Sequence, residues 1–318
     1  MSEQPLNGGR QRPVRPGGTA SEDVVALMVF KDPEHVDWLV RWLVAGGAQV
    51  VLHIDKKSME RFSGHLSAWK AVQAVHVVRD NVSVNWAGFS QVEATLRCLT
   101  WALEHLPNFQ RLHLMSGECL PLQRLADIAS AMEQRAPDGM ADLIECRDRA
   151  GMAWRINRYH LFGENPRNRE HWHNLAFRWF RDLQRILRLP PRGNFAPEDI
   201  VFGSQWWSMH RSSLVRMLAQ PALRSYCRKF RFTRCSDEHF FQILHQAQGL
   251  RAAGSHRFVE FPDGRASPRY LDLQELQRLR EQGYLFARKV APAVARAYWT
   301  QGNATVPKED AAGHRCSE

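Results

Sequence analysis

Two adjacent acids, Asp237 and Glu238, stand in the segment Arg234-Cys235-Ser236-Asp237-Glu238-His239-Phe240-Phe241. A carboxylate held where a loop meets a helix can take a proton from a hydroxyl, which is general-base chemistry. Ser236 suits a helix N-cap, and Phe240, Phe241 and Leu244 follow at helical spacing. The pattern predicts a helix over 237–248 with both acids in its first turn. The plainer reading is that such acids only complement the helix dipole. Cys235 lies near His239 in sequence, but no third group stands ready to orient them, so a thiol nucleophile has no support.

Other residues bear on a phosphate-carrying substrate. Arg257, Arg288 and Lys289 could compensate a departing diphosphate without metal. The alternative for Arg288 and Lys289 is the solvated basic end of a helix. Trp86 and the pair Gln205-Trp206 offer stacking surfaces, with core packing as the alternative reading. The first apolar run is followed by Phe30-Lys31-Asp32-Pro33, so no G-x-G-x-x-G dinucleotide turn is present, and no P-loop or G-x-S-x-G elbow occurs. No Asp-x-Asp stands at a predicted strand end. The nearest spaced acids, Glu145 and Asp148, lie in an arginine-rich segment. A divalent cation therefore has no evident seat, and the sequence calls for no metal and no cofactor.

The chain has 318 residues and a net charge of +10. That surface attracts anions: nucleic acid, an acidic membrane face or a phosphorylated substrate. The charge is scattered and no nucleic-acid-binding motif appears, so nucleic acid is not an expected partner. The six cysteines form no C-x-x-C pair and read as reduced, mostly buried thiols. The N-terminal stretch has no apolar core of a signal peptide, and no apolar run approaches membrane-spanning length. A cytoplasmic protein is expected, with peripheral contact at the inner membrane face as a further expectation.

The elements that must position these residues alternate. Residues 24–30, 49–54, 75–78 and 111–115 read as buried strands, and 34–44, 89–106 and 122–132 as helices. Residues 141–146 are a candidate fifth strand, and 200–209 a further strand carrying Gln205 and Trp206. Such alternation implies an α/β, Rossmann-like, mostly parallel sheet, whose ligands bind beyond the carboxyl ends of the strands. Three polar junctions fall there: Asp55-Lys56-Lys57-Ser58, Val84-Asn85-Trp86 and Ser116-Gly117-Glu118. Residues 147–200, rich in Arg, His and Trp, read as an irregular insertion lining a cleft. The expected organisation is a flexible tail over 1–22, one catalytic domain over 23–293 and a loose tail over 294–318.

Taken in order, these stretches resemble the core-2/I-branching β-1,6-N-acetylglucosaminyltransferase family, which includes the peptide O-xylosyltransferases. The matching pieces are Leu52-His53-Ile54-Asp55-Lys56-Lys57-Ser58; Val84-Asn85-Trp86-Ala87-Gly88-Phe89-Ser90; Leu114 through Leu122, reading LMSGECLPL; Phe202-Gly203-Ser204-Gln205-Trp206-Trp207; Ser236-Asp237-Glu238 with Phe240-Phe241; and Leu285-Phe286-Ala287-Arg288-Lys289. The resemblance implies a bacterial-type soluble member with a GT-A-like fold lacking Asp-x-Asp. It further implies inverting, metal-independent transfer of a sugar, N-acetylglucosamine first, from a UDP-sugar to a glycan, glycolipid or protein acceptor. Transfer from UDP-xylose, or sugar or polyanion binding without catalysis, are the alternatives.

By the same resemblance Glu238 is the catalytic base. Val29, Asp55, Val84, Asn85, Trp86, Gln205 and Trp206 bind the donor, Arg288 and Lys289 hold its diphosphate, and Arg257 and Ser267 assist. Trp154 and Arg158 are acceptor candidates. Where the family commonly has Gly after the motif tryptophan, this chain has Ala87.

Overall fold

The computed structural model describes residues 22–302, apart from 136–139, 149, 162–170, 191, 194, 220–222 and 266. The expected N-terminal tail lies outside the described residues except for residue 22, and so does everything after 302.

Strand β1 (Asp23–Val29) is buried at all seven positions. A continuous aliphatic run is what the middle of a parallel sheet requires, because helices cover both faces. Helix α1 (Pro33–Ala45) opens with proline, whose missing N–H costs nothing there, and packs Val36, Leu39, Val40 and Leu43 into the core. Strand β2 (Gln49–Ile54) returns parallel to β1. A 3-10 turn (Lys56–Phe62) and α2 (Ser63–Ala71) lead to β3 (Val75–Val77), and α3 (Ser90–His105) leads to β4 (Arg111–Ser116) on the other side of β1.

The chain continues through β5 (Cys119–Pro121), α4 (Leu125–Gln134), β6 (Arg147–Asp148), a 3-10 segment (Ala150–Arg155) and α5 (His171–Ile186). Then come β7 (Val201–Phe202), β8 (Ser208–His210), α6 (Arg211–Leu218), α7 (Leu223–Phe230) and α8 (Phe240–Ala247). The last elements are β9 (Arg257–Val259), α9 (Leu273–Glu281), β10 (Phe286–Arg288) and α10 (Pro292–Gly302).

The central sheet has the order β3-β2-β1-β4-β8. All its neighbours pair parallel except β8, which runs antiparallel to β4 at the edge. The expected mixed α/β architecture with a mostly parallel sheet is present. A second sheet, β5-β10-β9, stands beside it, with β10 antiparallel to β5 and parallel to β9.

Several expectations are corrected. Residues 200–209 are not one strand: β7 and β8 are separated by an irregular stretch carrying Gln205 and Trp206. In that stretch Gly203 passes so near residue 145 that an added Cβ would meet the Glu145 carbonyl oxygen at 1.8 Å. Residues 141–146 make only isolated bridges, Asp142 to Ala252 and Leu143 to Ser208. The Asp142 carboxylate instead accepts from the backbone of His210 at 2.8 Å and pairs with His245 at 2.9 Å, tying α8 to the sheet edge.

Arg288 belongs to a strand, not to a helix end. The segment from 294 to 302 is not loose, because α10 buries Tyr298 and Trp299 against Leu120, Leu122 and Leu276. Tyr298 donates to the Leu122 carbonyl at 2.7 Å, and Trp299 packs on Trp42. Among the described residues no helix is long and apolar enough to cross a membrane.

Candidate active site

At the carboxyl ends of β1 and β2 the Val29 carbonyl accepts the Asp55 N–H at 2.9 Å. The Asp55 carboxylate, buried, accepts from the backbone of Lys57 at 3.0 Å and of Val84 at 3.3 Å. Lys57 Nζ reaches the Val84 carbonyl at 2.5 Å and Asn85 Oδ1 at 3.1 Å. Val29, Asp55, Val84 and Asn85 are thus gathered at the sheet edge where α/β folds place ligands. Trp86 follows and is 39% exposed, which removes the core-packing reading for it.

Ala87 then turns the chain with φ 63, a left-handed conformation that costs a side-chain-bearing residue. The family's usual glycine at this position would carry no such cost. Ala87 is also the link to the acids, since its carbonyl accepts the Cys235 N–H at 2.9 Å.

Asp237 and Glu238 are not in the first turn of a helix. They occupy a 3-10 turn, Ser236–Glu238, entered through a left-handed Cys235 (φ 49), and α8 begins only at Phe240. Ser236 does not cap it: its hydroxyl is buried without a hydrogen-bond partner among the described residues. The turn is held by the Gly203 N–H, which donates to the Glu238 carbonyl at 2.9 Å. Gln91 reaches Asp237 Oδ2 and Gln205 Oε1, each at 3.2 Å, and so joins the acids to the Gln205-Trp206 stretch.

The two acids differ in surroundings. Asp237 is buried, whereas the Glu238 side chain is 32% exposed. Burial first, then the neighbouring Glu238 charge, pushes the Asp237 carboxyl far up. Burial also raises Glu238, opposed by Arg155, whose Nη1 donates to Glu238 Oε2 at 2.5 Å. Adjacent carboxylates do not both ionise easily. Burial raises both carboxyls, and the bond from Arg155 opposes that rise at Glu238, the less enclosed of the two. The surroundings do not favour a Cys/His nucleophile: burial pushes Cys235 up to about 12 and lowers His239 to about 4 against the bond to the Val201 carbonyl.

Arg288 and Lys289 meet around a residue that the sequence reading left without a role. Glu118 Oε2 lies 3.6 Å from both Arg288 Nη2 and Lys289 Nζ. Its Oε1 accepts from Lys31 Nζ at 2.9 Å and from the Tyr270 hydroxyl at 2.7 Å. Burial opposes ionisation, but these donors outweigh it and hold the carboxyl at about 2. Lys289 Nζ also donates to Ser267 Oγ at 3.0 Å. Arg288 lies over the Trp206 ring at 4.9 Å and bonds Ser116 Oγ, so Trp206, mostly buried, packs against a cation.

Arg257 does not join this group. Its guanidinium is buried over Phe286, donates to the Trp207 carbonyl at 2.9 Å and to Ser208 Oγ at 2.8 Å, and is lowered to about 10 by desolvation. Its Nη2 bonds tie β9 to the start of β8.

Trp154 and Arg158 line a cavity of about 400 Å³ with Asn157, Gln184 and Arg185. Arg155, between them in the chain, is the functional residue that sequence reasoning missed. It pairs with an acid 83 positions away, and no local pattern signals that. Glu118 did carry a signal, because it stands in a quoted motif at a strand end. Among the described residues no group of three or more His, Cys, Asp or Glu converges so as to hold a metal ion.

The model of the Core-2/I-Branching enzyme family matches residues 28–261, more than half of the chain. The chain belongs to the Core-2/I-Branching enzyme family. No curated protein matches it. As a Core-2/I-Branching enzyme it is a glycosyltransferase, acting in general on a nucleotide-sugar donor and a glycan acceptor. The reading as a binding protein without catalysis is set aside. The match runs from β1 to just beyond β9 and takes in Asp55, Trp86, Gln205 and Glu238; Ser267, Arg288 and Lys289 lie after it.

Proposed function

We propose that this enzyme transfers N-acetylglucosamine from a UDP-sugar to a glycan hydroxyl with inversion, forming a β-linkage, and that fixed cations replace a divalent metal. The observation that carries the reading is Glu238: a partly exposed carboxylate, paired with Arg155, on a turn bound to both donor-side stretches. Inversion needs one base, one hydroxyl and a leaving group in line. Glu238 accepts the hydroxyl proton as the acceptor oxygen forms its bond to the anomeric carbon. The bond from that carbon to the diphosphate oxygen breaks, and the electron pair leaves with UDP. Arg288 and Lys289 compensate the added charge. Asp55 and the Val84–Trp86 stretch, with Val29 behind them, hold the nucleotide at the strand ends.

The xylosyl alternative is favoured by one contact, Lys289 to Ser267, because a Ser-Pro at the donor marks that branch of the resemblance. Thermal shifts with UDP-N-acetylglucosamine, UDP-xylose and other UDP-sugars separate the two. The expected result is the largest stabilisation with UDP-N-acetylglucosamine, unchanged by a chelator. A larger shift with UDP-xylose overturns the hexosamine assignment. Transfer lost to chelator and restored by Mn²⁺ overturns the metal-independent mechanism.

A further inference from the structure

Helix α5 leaves large apolar side chains in water. A surface helix of a globular protein packs its apolar stripe inward and leaves polar side chains to water. Among the described side chains of α5, Gln184 is buried, with Phe180 and Leu183 half-buried beside it, and its amide donates to the Tyr159 carbonyl and accepts the Tyr159 N–H, both at 2.9 Å. On the opposite side Leu175, Trp179 and Ile186 are 53%, 66% and 76% exposed. At about 100° per residue these three fall within roughly 40° of one another and form one outward stripe along the helix.

The flank of that stripe carries arginines and one acid, Asp182, which is paired with Arg181 at 2.9 Å. Arg178 and Arg185 are exposed one step round the helix, at roughly 60–80° from Leu175. Arg188, just beyond the helix end, is exposed with them. Arg185 and Arg188 also open onto the cavity of about 400 Å³ that Trp154 and Arg158 line. An aromatic and two aliphatic side chains pointing outward beside a row of guanidinium groups match the boundary of an anionic bilayer. There the ring and aliphatic groups enter the acyl margin and the arginines meet phosphate. A second copy of the chain is a poorer occupant, because two chains of net charge +10 repel each other.

We propose that α5 docks this enzyme on a bilayer containing anionic phospholipid, with the arginine-lined cavity receiving a headgroup phosphate. The surface adjoins the chemistry, since Trp154 of the cavity precedes Arg155, the partner of Glu238. The inference does not depend on which sugar is transferred.

The test is flotation of the full chain with vesicles of phosphatidylcholine alone or with about a third phosphatidylglycerol. The wild type is expected to float with the anionic vesicles only, and less as salt rises from about 0.1 M to about 0.5 M. The triple variant Leu175→Ser/Trp179→Ser/Ile186→Ser is expected to lose binding about tenfold or more with an unchanged thermal transition. If that variant fails to fold, Arg178→Gln/Arg185→Gln serves in its place, and it is expected to weaken binding about fivefold per arginine. Absence of wild-type flotation, equal flotation with neutral vesicles, or binding indifferent to these substitutions overturns the proposal. So does a vesicle-free wild-type dimer that the apolar substitutions convert to monomer, because the stripe then covers itself.

Discussion

Arg155 Nη1 donates to Glu238 Oε2 across 2.5 Å, joining a residue at the end of a 3-10 segment to the acid that precedes α8. The pair opposes the rise that burial imposes on the Glu238 carboxyl, and a base must be ionised before it can take a proton.

Under the proposed mechanism, removing the Glu238 carboxylate should cost rate and spare the nucleotide. Glu238→Gln is expected to lower kcat by about 10²–10⁴-fold while UDP affinity by calorimetry changes little. Arg155→Met removes the charge that lowers Glu238. The acid limb of the pH–rate profile should then move to higher pH, with Arg155→Lys recovering part of the shift. An unmoved limb would show that Arg155 only holds the chain in place.

Asp237 makes a prediction of opposite sign. Its folded-state carboxyl is raised above the ordinary 3.8, first by burial and then by Glu238. The folded state thus opposes ionisation, and stability falls as pH rises above about 4 until the folded group itself titrates. Asp237→Asn removes that penalty. Its thermal transition is expected to exceed that of the wild type at pH 8 and to approach it at pH 4. A lower transition at both pH values would mean that the bond from Gln91 matters more than the charge.

Glu118 behaves in the reverse sense. Its carboxyl is held at about 2 against an ordinary 4.5. The stability it contributes is present above pH 4.5 and is lost as pH falls toward 2, on the order of 3 kcal/mol in full. Urea titrations of wild type and Glu118→Gln should differ most above pH 4.5 and converge near pH 2. In the same site Lys289→Ala is expected to weaken UDP binding and kcat together; an effect confined to acceptor KM would move Lys289 away from the diphosphate.

Two backbone positions invite small-residue exchanges with opposite outcomes. Ala87→Gly relieves a positive φ and should stabilise by about 0.5–1 kcal/mol, after the larger freedom of glycine in the unfolded chain is counted. Gly203→Ala drives a methyl against the Glu145 carbonyl and should destabilise by about 1–3 kcal/mol. Because the Gly203 N–H holds the Glu238 carbonyl, kcat should fall as well. Full activity in Gly203→Ala would show that the turn tolerates a shift at this contact.

What the chain determined alone was local. Continuous aliphatic runs made β1, β2 and β4 legible, because strands covered on both faces have no polar side to interrupt them. The ordered motifs around Asp55, Trp86, Gln205 and Glu238 pointed to the family, since each sits at a strand end or a turn whose shape needs particular residues. Tertiary structure decided the rest. Short strands such as β5 and β10 exist only because they pair with each other, and three residues carry too little periodicity to announce that.

Arg155 reached Glu238, and Glu118 reached Lys31, Arg288 and Lys289, across separations that no spacing encodes. Arg257 looked like its neighbours in charge and was withdrawn from them by burial. Charge type is written in the sequence; which charges share a site is settled by packing, because Coulomb attraction acts on distance in space and not on position along the chain.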